Sequence, residues 1–267
     1  MEPPPLLRPG EPAVVEVVNG VSPATIFLTC DHASNRLPER LGNLGLARQN
    51  IDSHIGWDIG AAAVARGLAR PLSAPLVMAA YSRLVIDCNR PPASPDSIPL
   101  SSAGIPVPGN SDLNDDMRQL RRATFFAPYH NAIASLLDHR AGTHQPTALL
   151  AIHSFTPDYP GQERPWHVDF AYNRDRQLAG LLLDAMAKQS DLTIGDNLPY
   201  GVDDESDFTI PIHGERRGLP SVLIEIRQDL LSTPAGIKSW VDRLTELLTE
   251  SRQSIERLAL AATRRKD

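Results

Sequence analysis

The sequence is poor in the features that mark secreted, membrane-spanning and nucleic-acid-binding proteins. It has two cysteines, too few for a disulfide framework, so free thiols and a cytoplasmic location are expected. No stretch approaches the roughly 18 consecutive apolar residues of a membrane span. The net charge of -6 and the pI of about 5.7 argue against a general nucleic-acid binder. A soluble enzyme is the class that these shortages favour.

The sequence does have enough apolar residues for a core, and many prolines. Hydrophobic residues make up 42% of the chain, and 24 residues are proline. Several prolines precede the first hydrophobic run, so residues 1–13 are predicted to form a flexible tail and residues 14–267 a single α/β domain. Further prolines lie between Arg90 and Pro108. A loop of this length inside a compact domain is typical of a functional segment.

Short apolar runs alternate with longer segments that have apolar residues at helical spacing. This alternation predicts a mainly parallel sheet that is covered by helices on both faces. The predicted strands are Thr25–Cys30, Pro75–Tyr81, Leu84–Cys88, Thr147–His153, His167–Tyr172 and Pro220–Arg227. The predicted helices are Asp52–Ala69, Asp112–His139, Arg174–Gln189 and Pro234–Arg264.

Local signals add detail to these elements. Asp52 or Ser53 is available as an N-cap for its helix. An interior proline, Pro128, predicts a bend in the second helix. The alternation within His167–Tyr172 predicts a strand with one side facing solvent, and the last helix is expected to be continuous.

Two histidines lie at the ends of predicted strands. His32 follows the first strand and His153 follows Ile152. Zinc binds imidazole nitrogen, and a catalytic site keeps one position open for water. Because the carboxyl ends of parallel strands meet at one edge, the two rings are expected to be close. The alternative is a pair of structural histidines, with Asp31 and Asn35 making turn hydrogen bonds.

Glu225 lies among aliphatic residues in the last predicted strand. A carboxylate in such surroundings is costly to bury unless it has a partner or a chemical role. One interpretation is a general base whose pKa is raised by partial burial. The other is an ion pair with Arg227 or another arginine.

Arg83 and Arg90 flank the apolar run Leu84-Val85-Ile86. A guanidinium can clamp a carboxylate, or stabilise the negative charge that develops on a carbonyl oxygen during hydrolysis. Structural ion pairs are the alternative, and the carboxylates available for them are Asp58, Asp87 and Asp96.

Other polar positions allow more than one interpretation. Asp58 could be a third metal ligand, or it could orient His32 from behind. His213 lies in a glycine-bounded loop before the Glu225 strand, and could contact substrate or be an ordinary loop residue. Cys30 could be a nucleophile, although the end of a buried strand favours an inert thiol.

Four short motifs, in this order, resemble the N-formylglutamate amidohydrolase family: Cys30–Asn35, Ser82–Arg90, His153–Pro157 and Glu225–Asp229. The resemblance spans roughly Thr25 to Trp240. That family is similar in turn to the zinc carboxypeptidase and aspartoacylase superfamily. The resemblance implies a three-layer α/β/α sandwich with a mixed, mainly parallel sheet of the phosphorylase/hydrolase-like type.

The resemblance also implies a metal site. By it, His32 and His153 are ligands of zinc or of another divalent metal, and Asn35 stands where the wider superfamily has a glutamate ligand. An amide oxygen is a weaker ligand than a carboxylate. Asp58 or Asp31 is therefore the expected compensating residue.

The implied chemistry is hydrolysis of an amide. By the same resemblance, Glu225 is the base, Arg83 polarises the carbonyl, and Asn89 and Arg90 hold the substrate carboxylate. The expected reaction is cleavage of the C–N bond of an N-acyl amino acid, with N-formyl-L-glutamate as the leading substrate, giving formate and glutamate.

Two alternatives to this reaction remain. One is a hydrolase for another N-acyl amino acid or for a peptide C-terminus. The other is a non-catalytic binding protein on the same fold. The expected partner is a small-molecule carboxylate, with no nucleic acid and no membrane, and the oligomeric state is left open.

Overall fold

A computed structural model describes residues 4–159 and 161–265 of the chain. The strands in the described residues are β1 (Val15–Val18), β2 (Ile26–Cys30), β3 (Leu76–Ala79), β4 (Ser101–Ser102), β5 (Ile105–Pro106), β6 (Ala148–Phe155), β7 (Val168–Ala171), β8 (Ile194–Asp196) and β9 (Ser221–Arg227). Seven of them form a central sheet in the order β1-β3-β2-β6-β9-β7-β8, and β4 and β5 form a separate hairpin.

Seven α-helices are present in the described residues. They are α1 (Arg48–Ile51), α2 (Ala61–Ala69), α3 (Asp115–Arg121), α4 (Ala127–Gly142), α5 (Gln177–Met186), α6 (Pro234–Glu250) and α7 (Arg252–Arg264). Two π-helical segments also occur, at Arg122–Phe126 and Thr209–Gly214. Single 3-10 turns lie at Glu39–Leu41, Pro95–Ser97, Pro108–Asn110, Glu215–Arg217 and Gln228–Leu231.

The sheet is mixed and mainly parallel. β3, β2, β6 and β9 are parallel, β1 is antiparallel to β3, and β7 is antiparallel to β9 and parallel to β8. One face packs against α2, α5, α6 and α7, and the other packs against α4 and the Thr209–Gly214 segment. The predicted three-layer α/β/α sandwich is confirmed.

The central strands are buried on both faces. Every residue of β2 and of β6 is buried, which explains their near-continuous apolar sequences. Side chains alternate between the two faces of a strand. In β6, Leu149 and Ala151 enter the core on the α4 side, and His153 shares their face. A polar side chain that is buried in this position needs a hydrogen-bond partner.

Two predicted elements differ from the structure. Leu84–Cys88 is a buried turn segment, in which the amide of Asp87 donates to Ser97 O. Its apolar side chains fill small clusters beneath the loops, so an apolar run was mistaken for a strand. The predicted helix Asp52–Ala69 begins at Ala61. Turns occupy the preceding residues, and Gly60 has a φ of +83° that suits glycine.

Other details of the prediction also change. β7 is buried on both sides, because β8 and β9 flank it and helices cover it, so no side faces solvent. The irregularity near Pro128 takes the form of a π-helical segment, with the proline in the first turn of α4. The final helix is divided into α6 and α7 at Ser251. No helix in the described part of the chain is long and apolar enough to cross a bilayer.

The predicted N-terminal tail lies partly on the domain. Residues 1–3 are outside the described part. Leu6 and Leu7 pack against the cluster that contains Tyr81, and the Tyr81 hydroxyl donates to Pro12 O at 2.9 Å. From residue 4 onward, the tail therefore makes specific contacts.

Candidate active site

Three polar side chains meet at the carboxyl ends of the central parallel strands. His32 lies two residues after β2, His153 is in β6, and Glu225 is in β9. His153 and Glu225 are direct partners in the register of β6 and β9. All three side chains are buried and line one cavity of about 360 Å³. This edge is where open α/β sheets bind ligands.

Asp58 joins the two histidines in a compact group. One ligand atom from each of His32, Asp58 and His153 lies within 4.8 Å of the others. Asp58 Oδ2 is 3.3 Å from His32 Nδ1 and 2.8 Å from His153 Nδ1. The backbone places it there, since Asp58 N donates to His32 O at 3.0 Å. Two imidazoles and a carboxylate form a donor set typical of catalytic zinc.

The outer nitrogen of each histidine is held by a further carboxylate. His32 Nε2 donates to Asp87 Oδ1 at 2.6 Å, and His153 Nε2 donates to Asp31 Oδ2 at 2.8 Å. Because a carboxylate only accepts, these bonds require a proton on Nε2 of each ring, and Nδ1 of each ring faces Asp58. A carboxylate behind each imidazole is the usual support of metal-binding histidines. The residues present therefore fit a divalent metal.

Asp31 lies on the Nε2 side of the His153 ring, away from Asp58. Its side chain is buried, and Oδ1 accepts hydrogen bonds from the Tyr129 hydroxyl at 2.8 Å and from the Thr209 hydroxyl at 2.6 Å. With its second oxygen on His153, both carboxylate oxygens are engaged. The structure thus gives Asp31 the role of orienting His153.

The charges of the group favour a cation. Burial acts to raise the pKa of Asp31, but the hydrogen bonds from His153 and Thr209 and the charges of His153 and His32 together outweigh it and lower that pKa to about 2. The pKa values of Asp58 and Asp87 also lie below the usual range despite burial, owing mainly to His32 and His153 for Asp58 and to Arg83 and His32 for Asp87. Three ionised carboxylates thus surround the imidazoles, and they attract positive charge, either as protons on the rings or as a metal ion.

Glu225 has the properties of a general base. Burial raises its pKa to about 7, and the nearby charges of His153 and Asp58 act in opposite directions. Its Oε2 is buried without a hydrogen-bond partner. A carboxylate whose pKa is near neutrality can both accept and return a proton at physiological pH.

The arginines flank the same cavity. Arg83 Nη2 donates to Asp87 Oδ2 at 2.6 Å, and its side chain is 25% exposed, toward the cavity that it lines. Arg90 also lines the cavity and donates to the backbone oxygen of Ser206. Each arginine therefore combines a structural contact with a position on the cavity. The contact is an ion pair for Arg83 and a hydrogen bond to the backbone for Arg90.

Asn89 has mainly a structural task. Its Nδ2 donates to Asp207 at 2.9 Å, and its Oδ1 accepts from the amides of Phe208 and Thr209. These bonds fix the segment that follows residue 206 against the cavity. The side-chain oxygen is therefore already engaged before any substrate binds.

Two predicted site residues are not brought to the group. Asn35 Nδ2 donates to Asp52 Oδ1 at 2.7 Å on a separate surface, and the carboxylate that lies beside the two histidines is that of Asp58. His213 is buried behind the cavity wall, and its Nε2 is 2.9 Å from His130 Nδ1. It does not line the cavity.

The thiol of Cys30 is unsuited to nucleophilic attack. It is fully buried at the end of β2, and burial, with the nearby charges of Asp58 and Asp31, raises its pKa well above the usual value. A protonated, inaccessible thiol is not a nucleophile. The inert-thiol interpretation is the one that fits.

Aromatic residues form the outer wall of the cavity. Tyr159 and Tyr200 line it, and the Arg164 guanidinium lies 4.4 Å and 4.7 Å from the centres of their rings. This wall was not anticipated from the sequence, because its residues are far apart in loops. Asp87 was anticipated only as an arginine partner. Its place at the end of an apolar run, where a carboxylate needs a partner, was the available signal for it.

Comparison with known proteins places this site in a family. The family model described as N-formylglutamate amidohydrolase matches residues 24–232. The chain belongs to the N-formylglutamate amidohydrolase family. Membership in this family makes it a hydrolase that acts on the C–N bonds of linear amides, and the predicted resemblance is confirmed. The non-catalytic alternative is therefore set aside.

Solved structures support the family fold. The gene product Atu2144 from Agrobacterium tumefaciens is similar with a TM-score of 0.90 and 35% identity, over 94% of this chain and 99% of that chain. An N-formylglutamate amidohydrolase from Ralstonia eutropha JMP134 is similar in fold, with a TM-score of 0.62 and 18% identity, over 92% of this chain and 99% of its own. No curated protein sequence matches the chain.

Proposed function

We propose that this family member is a zinc-dependent enzyme that hydrolyses N-formyl-L-glutamate to formate and glutamate. The observation that carries the proposal is the group His32, Asp58 and His153, which shares one cavity with Glu225. Imidazole nitrogen and carboxylate oxygen suit zinc, although another divalent metal can use the same donors.

The chain's own residues supply the proton transfers. When bound, a divalent metal acts as a Lewis acid that polarises a carbonyl and lowers the pKa of water. Glu225 accepts a proton from the attacking water and later returns it to the nitrogen of the leaving amine. Arg83, at the cavity surface, stabilises the negative charge that develops on the formyl oxygen.

Arg90 is the main residue that would bind the substrate carboxylate. Its side chain lines the cavity and keeps donors beyond the one that is given to Ser206 O, so it can pair with a substrate carboxylate. Asn89 contributes by holding the neighbouring segment in place. The cavity volume of about 360 Å³ suits a small molecule.

The test is formate release from N-formyl-L-glutamate by the purified protein, with added zinc and with a chelator. Glu225→Gln is expected to abolish turnover and to keep the bound metal, because it removes the base and leaves the ligands intact. Glu250→Gln, an exposed change on α6, is the matched control. Near-normal turnover by Glu225→Gln would remove the base assignment, and chelator-resistant turnover would remove the metal.

A second substrate class is favoured by the aromatic wall. Tyr159 and Tyr200 offer apolar surface to a side chain larger and less polar than that of glutamate. The same assay with N-formyl-L-phenylalanine compares the two classes. A higher kcat/KM for the aromatic substrate would assign the enzyme to another N-acyl amino acid without altering the chemistry.

A further inference from the structure

Asp169 lies directly beside the proposed base. β7 is antiparallel to β9, and in their register Asp169 is the partner of Glu225. Directly opposed side chains in an antiparallel pair share one face, with Cβ atoms about 4.5–5.5 Å apart. Ala171 and Leu223, two residues along each strand, share the core on the α4 side, which confirms that face. His153, Glu225 and Asp169 thus form a row across three neighbouring strands.

Each of the two carboxyl groups has one buried oxygen without a partner. In the described residues these atoms are Asp169 Oδ2 and Glu225 Oε2. Asp169 Oδ1 is occupied, since it accepts from Leu198 N at 3.0 Å. Asp169 is fully buried, and no ion pair to it is found in the described part. Two ionised carboxylates side by side in apolar surroundings are costly, whereas one shared proton gives both free oxygens a partner.

We propose that Asp169 carries a proton and donates a hydrogen bond to Glu225, so that it is the positioning residue of the base. The proton stays on Asp169 during the reaction. The bond fixes one oxygen of Glu225 and leaves the other to exchange protons with water and the leaving amine. The inference rests on the proposed role of Glu225 and adds to it a residue that does not line the cavity.

The electrostatics agree with this division of roles. Burial raises the pKa of Asp169 to about 8, and the neighbouring charge of Glu225 raises it further, against the hydrogen bond from Leu198 N. A buried carboxyl group whose pKa is raised is suited to carry the proton that the two unpartnered oxygens require.

Two substitutions separate a positioning role from a structural one. Asp169→Asn keeps an acceptor for Leu198 N and presents an amide donor to Glu225, so most of kcat is expected to remain. Asp169→Ala removes the donor, and kcat is expected to fall about tenfold to a hundredfold while KM changes little. If Asp169→Asn loses as much kcat as Asp169→Ala, a neutral donor is not what Glu225 needs, and the proposal fails.

A double-mutant cycle tests the route of the effect. Asp169→Ala also frees Leu198 N, which lies near the cavity wall residue Tyr200. If Asp169 acts through Glu225, adding Asp169→Ala to Glu225→Asp, whose shorter carboxylate is withdrawn from Asp169 but remains a base, lowers the remaining rate by less than about twofold. A full additional loss in that background would show that Asp169 acts through the loop.

Infrared spectroscopy supplies a readout that needs no substrate. At neutral pH, the wild-type protein is expected to show the band of a buried protonated carboxyl group that Asp169→Asn lacks. An unchanged spectrum would mean that Asp169 is ionised, and would overturn the proposal. This outcome does not depend on the substrate, so failure of the inference is distinguishable from failure of the proposed function.

Discussion

The buried histidine pair offers a quantitative test of the structure. His130 Nε2 donates to Cys88 O at 2.8 Å, so its Nδ1 is free to accept from His213 Nε2 at 2.9 Å. His213 Nδ1 is then left as a buried acceptor without a partner. This arrangement requires both rings to be neutral. Substitution of His213 by glutamine keeps an amide donor for His130 and removes one titrating group.

The size of the effect follows from the pKa of His213. Burial, with the charges of His130 and Arg217, lowers it from 6.5 to about 3. Between pH 6.5 and about pH 3, His213 binds a proton in the unfolded chain but stays neutral in the folded protein. Stability is therefore lost as the pH falls from 6.5 toward the folded pKa. Relative to pH 7.5, this one group lowers the free energy of unfolding by about 0.8 kcal/mol at pH 6 and about 2 kcal/mol at pH 5.

The assay is urea unfolding of the wild-type protein and His213→Gln at pH 7.5, 6 and 5. The free energy of unfolding of His213→Gln minus that of wild type is expected to be about 2 kcal/mol larger at pH 5 than at pH 7.5. This change is expected whatever the difference between the two proteins at pH 7.5. His139→Gln, on the exposed side of α4, controls for the loss of an imidazole. A difference between His213→Gln and wild type that stays constant with pH would refute the neutral buried pair.

Two further predictions concern the metal group and the packing beside it. Asp58→Asn should weaken zinc affinity at least tenfold in a competition titration with a chromophoric chelator. Asn35→Ala should leave the affinity unchanged. Equal effects of the two substitutions would restore Asn35 as a ligand. Gly195→Ala should destabilise by about 1–3 kcal/mol in urea unfolding, because a Cβ would overlap Leu198 O. Gly142→Ala, which meets no neighbouring atom, should stabilise by up to about 1 kcal/mol; similar values for both would contradict the packing.

The sequence was most informative where polar residues interrupt buried strands. His153 and Glu225 were placed at the carboxyl edge of a parallel sheet, and the structure has them as register partners there. A polar group in an apolar run is conspicuous, because burial requires it to have a partner or a role. The mainly parallel sheet was anticipated from the alternation of apolar runs with segments of helical spacing, and its mixed character from the family resemblance.

The sequence left the third member of the His32 and His153 group open among Asn35, Asp58 and Asp31. Asn35 follows His32 at the expected spacing, whereas Asp58 is 26 residues farther along the chain. Asp58 is brought in by a backbone bond to His32 O and by the turns before α2, and neither leaves a pattern in the sequence. Long-range backbone pairing of this kind depends on the folded chain.

For the run Leu84-Val85-Ile86 and for His213, the local sequence does not show where the side chains lie in the folded chain. Leu84-Val85-Ile86 is as apolar as a strand, but its side chains fill clusters under loops, and local hydrophobicity does not separate the two cases. His213 was expected near the substrate, since it precedes the Glu225 strand. Its partner His130 is 83 residues away on α4, and that contact directs the ring into the protein interior.

The carboxylate of Asp31 has a consequence for how the protein opens. It receives hydrogen bonds from α4 through Tyr129, from the Thr209–Gly214 segment through Thr209, and from β6 through His153. If any one of these segments detached alone, it would leave a buried anion short of a donor, which is costly. We therefore expect local opening to be suppressed at this point, and the amide hydrogens of the three segments to exchange with solvent as one cooperative unit. The carboxylate that supports the proposed metal group would in this way also hold three parts of the fold together.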